Sequence, residues 1–367
     1  MRNASNEISS STLNFNLIKK KEWANERKPV SAFFEITPRC NMNCIHCYLQ
    51  DHHCNSEMSF EQVIEIIDIL YEKGILFLTL SGGEIFSRKD FLDIYMYAKR
   101  KGFIIELFSN GLNLSDVTIS TLKEYPPLLI DISLYGACEE TYYKVTGVKG
   151  AYEKVKDNCK KLVESKVRLS LKSPIIKETK DEVELMRAFA DSLGVPFCVS
   201  YEIDATIDRD SKTKEHQLSI PDMLKCEFND YERFGSPENR TNTDIDGIYS
   251  ISKESIFICN VAQTSFVIDY EGRMCPCMKF RHRGVTMTAE NFDKIWADFG
   301  KLQYCKASPN YKCSKCEARY YCDACAAERE MLYGDLEAIN EEVCKYAAAR
   351  HAYYAKKWPL DKVLTLF

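Results

Sequence analysis

Apolar and polar residues alternate with two different periods between about residues 31 and 205. Short apolar runs predict buried strands, and apolar positions three and four residues apart predict helices that pack on them. The predicted strands are 32–36, 76–80, 103–108, 128–134, 167–171 and 196–201. The predicted helices run from a Ser59 cap to Gly74 and over 91–101, 152–165, 182–193 and 343–357. Six strand–helix units predict an α/β fold, a parallel sheet with right-handed crossovers in a partial (β/α)6 TIM-like barrel.

Composition divides the chain into five stretches. We expect a polar N-terminal arm, the barrel, a polar linker with a connecting helix, a cysteine-rich domain and a C-terminal tail. The corresponding ranges are 1–30, 31–205, 206–255, 256–350 and 351–367.

Length and charge narrow the class of protein. A chain of 367 residues suits a barrel plus an extension, and a net charge of −5 with both signs mixed does not predict a nucleic-acid surface. The sequence contains neither an apolar signal core at its start nor a run of about 18 apolar residues that would predict a membrane span. We therefore predict a cytoplasmic protein, in which the 17 cysteines are metal ligands rather than disulfide partners.

Three cysteines follow the first predicted strand. Cys40, Cys44 and Cys47 lie in the loop that leaves its C-terminal end. A four-iron cluster needs one thiolate per iron, so a loop with this spacing supplies three corners and leaves one iron open. Taken alone, the spacing also fits a zinc site or three core thiols.

A second motif decides between these readings. The strand at 76–80 leads into Gly82, Gly83 and Glu84. Together with the cysteine loop it resembles the radical S-adenosylmethionine (SAM) enzymes. The resemblance implies a four-iron four-sulfur cluster on the three cysteines. It also implies SAM on the open iron and a Gly-Gly-Glu strand end against the SAM amino group.

Other strand ends add candidate SAM contacts. Asn110 and Ser133 lie at predicted C-terminal strand ends, where active sites of such sheets collect. The resemblance implies that Ser133 contacts the SAM ribose and that His46, inside the cysteine loop, takes the place of an aromatic residue beside the adenine. The sequence identifies no catalytic side chain.

The second cysteine constellation follows the linker. Its members are Cys259, Cys275, Cys277, Cys313, Cys316, Cys322, Cys325 and Cys344. Paired Cys-x-x-Cys units alone fit zinc ribbons and iron–sulfur sites equally well. With Gly272 placed before Cys277, the arrangement resembles the SPASM extension of peptide-modifying radical SAM enzymes.

That resemblance implies two auxiliary iron–sulfur clusters. One would be held by Cys313, Cys316, Cys322 and Cys344, and the other by Cys259, Cys277 and Cys325. The gap from Cys322 to Cys325 is one residue shorter than in the usual form. Cys275 is either the fourth ligand of the second set or a spare thiol beside an open iron.

The resemblance implies a maturase that acts on a ribosomal precursor peptide. Its 5'-deoxyadenosyl radical would abstract hydrogen from the peptide and install a thioether or carbon–carbon crosslink. The implied partners are a separate leader-recognition protein, because no more than about thirty residues precede the first strand, and a flavodoxin- or ferredoxin-type electron donor. One alternative is an anaerobic sulfatase-maturating enzyme, against which Met278 counts because that group places aspartate there. The other is a zinc-binding scaffold without catalysis.

Overall fold

The fold is a mixed α/β sheet covered by helices, as seen in a computed structural model that describes residues 21–49, 57–207, 212–234 and 254–367. Among these residues the sheet has nine strands in the order β6-β5-β4-β3-β2-β1-β7-β8-β9. The strands are β1 Ser31–Thr37, β2 Phe77–Gly82, β3 Ile104–Ser109, β4 Leu129–Ser133, β5 Leu169–Pro174, β6 Phe197–Ser200, β7 Ser265–Ile268, β8 Arg273–Cys275 and β9 Val285–Thr286.

Strands β1 to β6 are parallel and each of them was predicted from its apolar run. Since their carboxyl ends share one edge, the loops after β1, β2, β3 and β4 meet there. The sheet is open in the described part of the chain, with β6 and β9 at its two edges. The prediction of a partial barrel is confirmed.

The helices follow the caps that the sequence offers. The first is bounded by a capping box between Ser59 and Gln62. The second ends at Gly102 in the left-handed conformation. The helices are α1 Phe60–Glu72, α2 Phe91–Lys101, α3 Asp116–Glu124, α4 Glu139–Thr146, α5 Ala151–Glu164, α6 Val183–Leu193, α7 Ile220–Phe234, α8 Phe292–Gly300, α9 Ala326–Tyr333, α10 Glu341–Tyr354 and α11 Leu360–Leu364. Within the described ranges, no helix has both the length and the apolar character that crossing a bilayer requires.

The two faces of the strands differ in polarity. On the outer face, Phe34, Leu80 and Ile132 are fully buried in the hydrophobic core. On the inner face, β4 and β5 carry Asp131 and Lys172, whose charged atoms are 4.0 Å apart. A polar inner face and an apolar outer face indicate that the barrel interior receives polar groups while the helices cover the core.

The cysteine-rich segment extends the barrel sheet. β7 pairs in parallel with β1, and β8 and β9 continue it as antiparallel strands. The sequence did not predict these strands. The tight connection from β7 to β8 contains Gly272, which has a positive φ of 76°. Residues 1–20 of the predicted arm and 208–211 and 235–253 of the predicted linker lie outside the described residues.

Candidate functional site

The cysteine loop is fixed by its backbone. After β1, Asn43 N donates to Thr146 O at 2.9 Å, and Ile45 N donates to Val145 O at 3.0 Å. Both acceptors belong to the last turn of α4, whose final carbonyl groups have no partner within the helix. The loop therefore satisfies the end of a helix while that helix holds the loop in place.

Gly82 and Gly83 allow the base of this loop to approach the end of β2. A Cβ atom added to Gly82 would lie 2.1 Å from Thr37 O, and one added to Gly83 would lie 2.3 Å from Arg39 O. Gly83 N donates to Thr37 O at 2.8 Å, and Glu84 N donates to Arg39 O at 2.7 Å. No other residue type leaves room for this contact between two backbones.

Glu84 connects the end of β2 to the end of β3. Its carboxylate is fully buried and accepts hydrogen bonds from Phe86 N at 3.0 Å, Ser109 Oγ at 2.8 Å and Asn110 N at 2.6 Å. Burial raises the pKa of Glu84 to about 7, although the three donors favour the ionised form. The side chain thus serves the internal structure of the strand ends.

Asn110 joins β3 to the cysteine loop. Its Nδ2 donates to Asn41 Oδ1 at 2.7 Å and lies 3.7 Å from Cys40 Sγ. Its Oδ1 accepts from Leu112 N at 3.0 Å. The amide is buried, so it holds the first cysteine of the loop from inside the protein.

The three loop thiols lie close enough to influence one another. Burial raises the pKa of Cys40 to about 11 and that of Cys47 to about 12. Burial, with the negative charges of the other two thiolates, raises the pKa of Cys44 well above its usual value. Three partly buried thiols whose pKa values are raised by burial fit iron ligation, since iron supplies the positive charge that stabilises thiolates.

His46 and Ser133 lie near this loop. The His46 ring packs on Tyr135 with 5.3 Å between ring centroids, and burial lowers the pKa of His46 to about 4, which keeps the ring neutral. Ser133 ends β4, and its carbonyl oxygen accepts from Tyr142 at 3.4 Å. Both predicted SAM contacts therefore stand at the same sheet edge as Glu84 and Asn110.

A buried ion pair joins the barrel to the cysteine-rich segment. Glu35 in β1 is fully buried and binds both terminal nitrogens of Arg281, one of them at 2.7 Å. Tyr48, next to Cys47, donates its hydroxyl to Glu35 at 2.7 Å. Sequence reasoning missed this group, although a glutamate inside the apolar run of β1 was a visible signal.

The C-terminal cysteines form two groups. Each group is recognised by cysteines whose pKa is raised by burial and by the charge of neighbouring thiolates: Cys259 and Cys277 in one group, Cys322 and Cys344 in the other. One group contains Cys259, Cys277 and Cys325. The other contains Cys313, Cys316, Cys322 and Cys344. Within the described ranges, no three His, Cys, Asp or Glu side chains are arranged to hold a single metal ion as they stand.

Cys275 has different surroundings. It is buried in β8, and its thiol donates to Asp269 Oδ2 at 3.9 Å. Burial raises its pKa to about 12, and the charged side chains that act on it are Asp269, Arg281, Arg273 and Glu35. The structure therefore places Cys275 beside the Glu35–Arg281 pair rather than with Cys277.

A cavity of about 200 Å³ lies between the cysteine loop and the C-terminal segment. Tyr48 contributes one wall. Asp204, Ala205 and Ile207 after β6 contribute a second, and Met278, Arg281 and Met331 contribute a third. Two of its lining residues, Tyr48 and Met278, directly follow Cys47 and Cys277 in the chain.

Comparison with known proteins identifies the barrel. The sequence model of the radical SAM superfamily matches residues 34–190. Fe-coproporphyrin III synthase of Methanosarcina barkeri (strain Fusaro / DSM 804) is 28% identical over 207 residues, which are 56% of this chain and 51% of that protein. The antilisterial bacteriocin subtilosin biosynthesis protein AlbA of Bacillus subtilis (strain 168) is 26% identical over 255 residues, 69% of this chain and 55% of AlbA. The chain thus spans about half the length of these two relatives.

A solved structure shares the fold. The crystal structure of Streptococcus suis SuiB bound to its precursor peptide SuiA superposes with a TM-score of 0.68 at 16% sequence identity. The match covers 94% of this chain and 83% of SuiB, so the likeness includes the C-terminal extension of the sheet. With a matched superfamily model over β1 to α6 and the cysteine loop at the sheet edge, residues 34–190 form a radical SAM domain.

Proposed function

We propose that this chain is a radical SAM maturase that modifies a ribosomally made precursor peptide by forming a thioether or carbon–carbon crosslink. The observation that carries the proposal is the set of thiol groups: three cysteines in the loop after β1, and two further groups in the C-terminal segment. Two names support a peptide substrate. AlbA is named for biosynthesis of a bacteriocin, and SuiB was crystallised with a precursor peptide.

The residues present fit the cofactors of the superfamily. Cys40, Cys44 and Cys47 would hold a four-iron cluster, and the strand ends at 82–84, His46 and Ser133 would hold SAM. When bound, these groups supply one electron that cleaves SAM and a 5'-deoxyadenosyl radical that removes hydrogen from the peptide. The two C-terminal thiol groups would hold auxiliary iron–sulfur clusters, with Cys275 outside them.

The protein itself positions and protects these groups. Glu84 and Asn110 fix the loop from the buried side, where water has no access. The Glu35–Arg281 pair connects β1 to the segment that carries Cys277. It therefore helps to fix the position of the cysteine loop relative to the group of Cys259, Cys277 and Cys325. We also propose a separate leader-recognition protein and a flavodoxin- or ferredoxin-type donor as partners.

Anaerobic reconstitution tests the proposal. The holoprotein, SAM and dithionite are incubated with each candidate precursor peptide encoded beside the gene. We expect 5'-deoxyadenosine and a peptide that has lost two hydrogen atoms at a new crosslink. Cys40→Ala should abolish both products, whereas Cys138→Ala, an exposed cysteine outside all three groups, should retain them. Deoxyadenosine without any change in peptide mass or elution would contradict the proposal.

A second candidate follows from the resemblance to Fe-coproporphyrin III synthase, whose name places it in porphyrin synthesis. The cavity beside the cysteine loop counts against it. Its volume of about 200 Å³ is below the roughly 300–1,000 Å³ of sites for larger small molecules. Incubation with coproporphyrin in place of the peptide distinguishes the two candidate functions, because only a porphyrin-modifying enzyme would convert it.

The two alternatives from the sequence are tested in the same preparation. A sulfatase-maturating activity would convert a cysteine or serine peptide to formylglycine. Met278, which follows Cys277 where that group has aspartate, lines the cavity. A zinc scaffold would contain zinc without iron and would leave SAM intact.

A further inference from the structure

The cavity of about 200 Å³ lies where the sheet stays open. One wall lies after the edge strand β6, at Asp204, Ala205 and Ile207, and the opposite wall is formed by Arg273 in β8 and Met278 after it. Lys279 crosses between these walls, with its Nζ 2.8 Å from both Asp204 and Glu328. The cavity is therefore a lateral entrance between the β6 edge of the barrel and the C-terminal extension of the sheet, and the ion pairs of Lys279 join its two sides.

The base of this entrance contains a buried donor with no acceptor. Arg281 is 8% exposed, and its two terminal nitrogens bind Glu35. Its third donor, Nε, is buried and has no hydrogen-bond partner among the described residues. A buried N–H without an acceptor costs about 1–3 kcal/mol, so a ligand that brings an oxygen to this point gains that amount.

The walls around this donor combine apolar groups with ion-paired side chains. Tyr48, Met278 and Met331 contribute rings and thioethers, and Ala205 is buried beside them. The nearby cations are neutralised by their own carboxylates, as Lys279 is by Asp204 and Glu328. An apolar cavity of about 150 Å³ accepts a benzene-sized group, so about 200 Å³ accepts one aromatic or methionine-sized side chain.

We propose that this cavity binds one uncharged aromatic or long apolar side chain of the substrate peptide, while Arg281 Nε donates to a carbonyl oxygen of the same peptide. The proposal rests on the proposed function and specifies its substrate class. Tyr48 directly follows Cys47, and Met278 directly follows Cys277. A peptide side chain bound in the cavity would therefore place the neighbouring residues of the peptide between the cysteine loop and the group that contains Cys277. Arg281 is a positioning residue for the peptide in this arrangement.

Binding of a small probe tests the proposal without peptide chemistry. The probe is N-acetyl-4-fluoro-L-phenylalanine methylamide, followed by fluorine NMR on the anaerobic holoprotein with SAM. We expect saturable line broadening. Met331→Trp should weaken binding at least tenfold because it fills the cavity. Tyr333→Trp, on the same helix but 54% exposed, should leave binding unchanged. N-acetyl-L-lysine methylamide should fail to compete, since the cavity offers its ammonium no free carboxylate.

A second pair of variants isolates the buried donor. Arg281→Lys keeps a cation for Glu35 but removes Nε, and should weaken the probe about fivefold, in line with one hydrogen bond. Lys160→Met, which removes an exposed ion pair with Asp157, keeps Nε and should change binding by less than twofold. If Met331→Trp does not fold, Ala205→Val fills the same space with less volume and should still weaken binding.

The possible failures are distinguishable. No saturable binding to the wild type, equal affinity in Met331→Trp, or competition by the lysine probe would overturn the assignment of this cavity. Saturable binding by a protein that modifies no peptide would overturn the proposed function and leave the assignment of the cavity standing. If Met331→Trp modified the peptide with the rate and affinity of the wild type, the assignment of the cavity would be wrong and the proposed function would stand.

Discussion

The two cysteine regions of this molecule differ in what holds them in place. The loop of Cys40, Cys44 and Cys47 is bound to strand and helix ends by backbone hydrogen bonds. Apart from an isolated bridge between Lys306 and Ser255, the regular structure of segment 305–325 is two short 3-10 turns, Lys312–Lys315 and Arg319–Tyr321. The first region is therefore built by the fold, whereas the second depends on whatever its thiols bind.

The cysteines of the two regions also differ in their exposure to solvent. All three loop cysteines are partly buried, while Cys316 and Cys344 in the larger C-terminal group are exposed. A site that the fold already organises binds its cofactor at small conformational cost. A site without regular structure must spend part of the binding free energy on ordering its own chain.

Removal of iron should produce the largest difference in amide protection between the two regions. In iron-free protein we expect amide protection to fall to the level of an unfolded chain in residues 305–325, because the ligand bonds of the proposed auxiliary clusters would take the place of secondary structure there. β1 to β5 should keep at least hundredfold protection, since their hydrogen bonds lie within the barrel core. Hydrogen exchange with mass spectrometry of holo and iron-free protein measures both. Equal loss of protection in barrel and C-terminal segment would contradict the comparison.

The Glu35–Arg281 pair should connect the two regions energetically. Glu35→Gln leaves Arg281 buried without a full counter-charge, and we expect a loss of about 3–5 kcal/mol in the free energy of unfolding. Lys160→Met, which removes an exposed pair with Asp157, should cost less than about 1 kcal/mol. Urea unfolding of the holoprotein measures the difference. A cost for Glu35→Gln no larger than for Lys160→Met would show that this contact does not join the regions.

The barrel was predictable from the sequence because its signals are local. Helix 91–101 was predicted with the bounds that the structure shows, since its apolar spacing and the Gly102 cap lie within a dozen residues. Strands such as Ile104–Ser109 were predicted to within a residue from their apolar runs. The strand-end residues Glu84 and Asn110 followed because parallel strands bring their carboxyl ends to one edge.

The remaining features depend on contacts between distant parts of the chain. β7 has four residues, too few for a period, and its partner β1 lies more than 200 positions earlier. Arg281 and Glu35 are 246 positions apart. The eight-residue helix α4, which receives the cysteine loop, is too short for a clear apolar face and was also missed. Sequence patterns alone do not encode such pairings.

Glu84 should give the first region a pH dependence of its own. Its folded pKa of about 7 lies above the ordinary value of 4.5, so the folded state holds a proton that the unfolded state releases. The stability from this group is fully present below pH 4.5 and is lost as the pH rises through 7, by about 3 kcal/mol. The free energy of unfolding of Glu84→Gln should therefore depend less on pH between 5 and 8 than that of the wild type. Denaturation midpoints at several pH values measure this, and a wild-type stability that rises across that range would contradict it.

The smallest effect should come from Asn110, which touches the first region alone. Asn110→Ala removes the donor to Asn41 and the contact with Cys40 Sγ, and leaves Leu112 N without its acceptor. We expect a loss of about 2 kcal/mol in unfolding free energy and faster loss of iron to a chelator from the cysteine loop. Asn113→Ala, whose side chain makes only a 3.5 Å contact with Ser87, is the matched control and should behave as wild type. Because Asn110 contacts the loop and not the C-terminal groups, iron loss from those groups should not change. Faster iron loss from all three cysteine groups would mean that the loop and the C-terminal segment form one cooperative unit. The distinction between a site organised by the fold and a site organised by its ligand would then not hold.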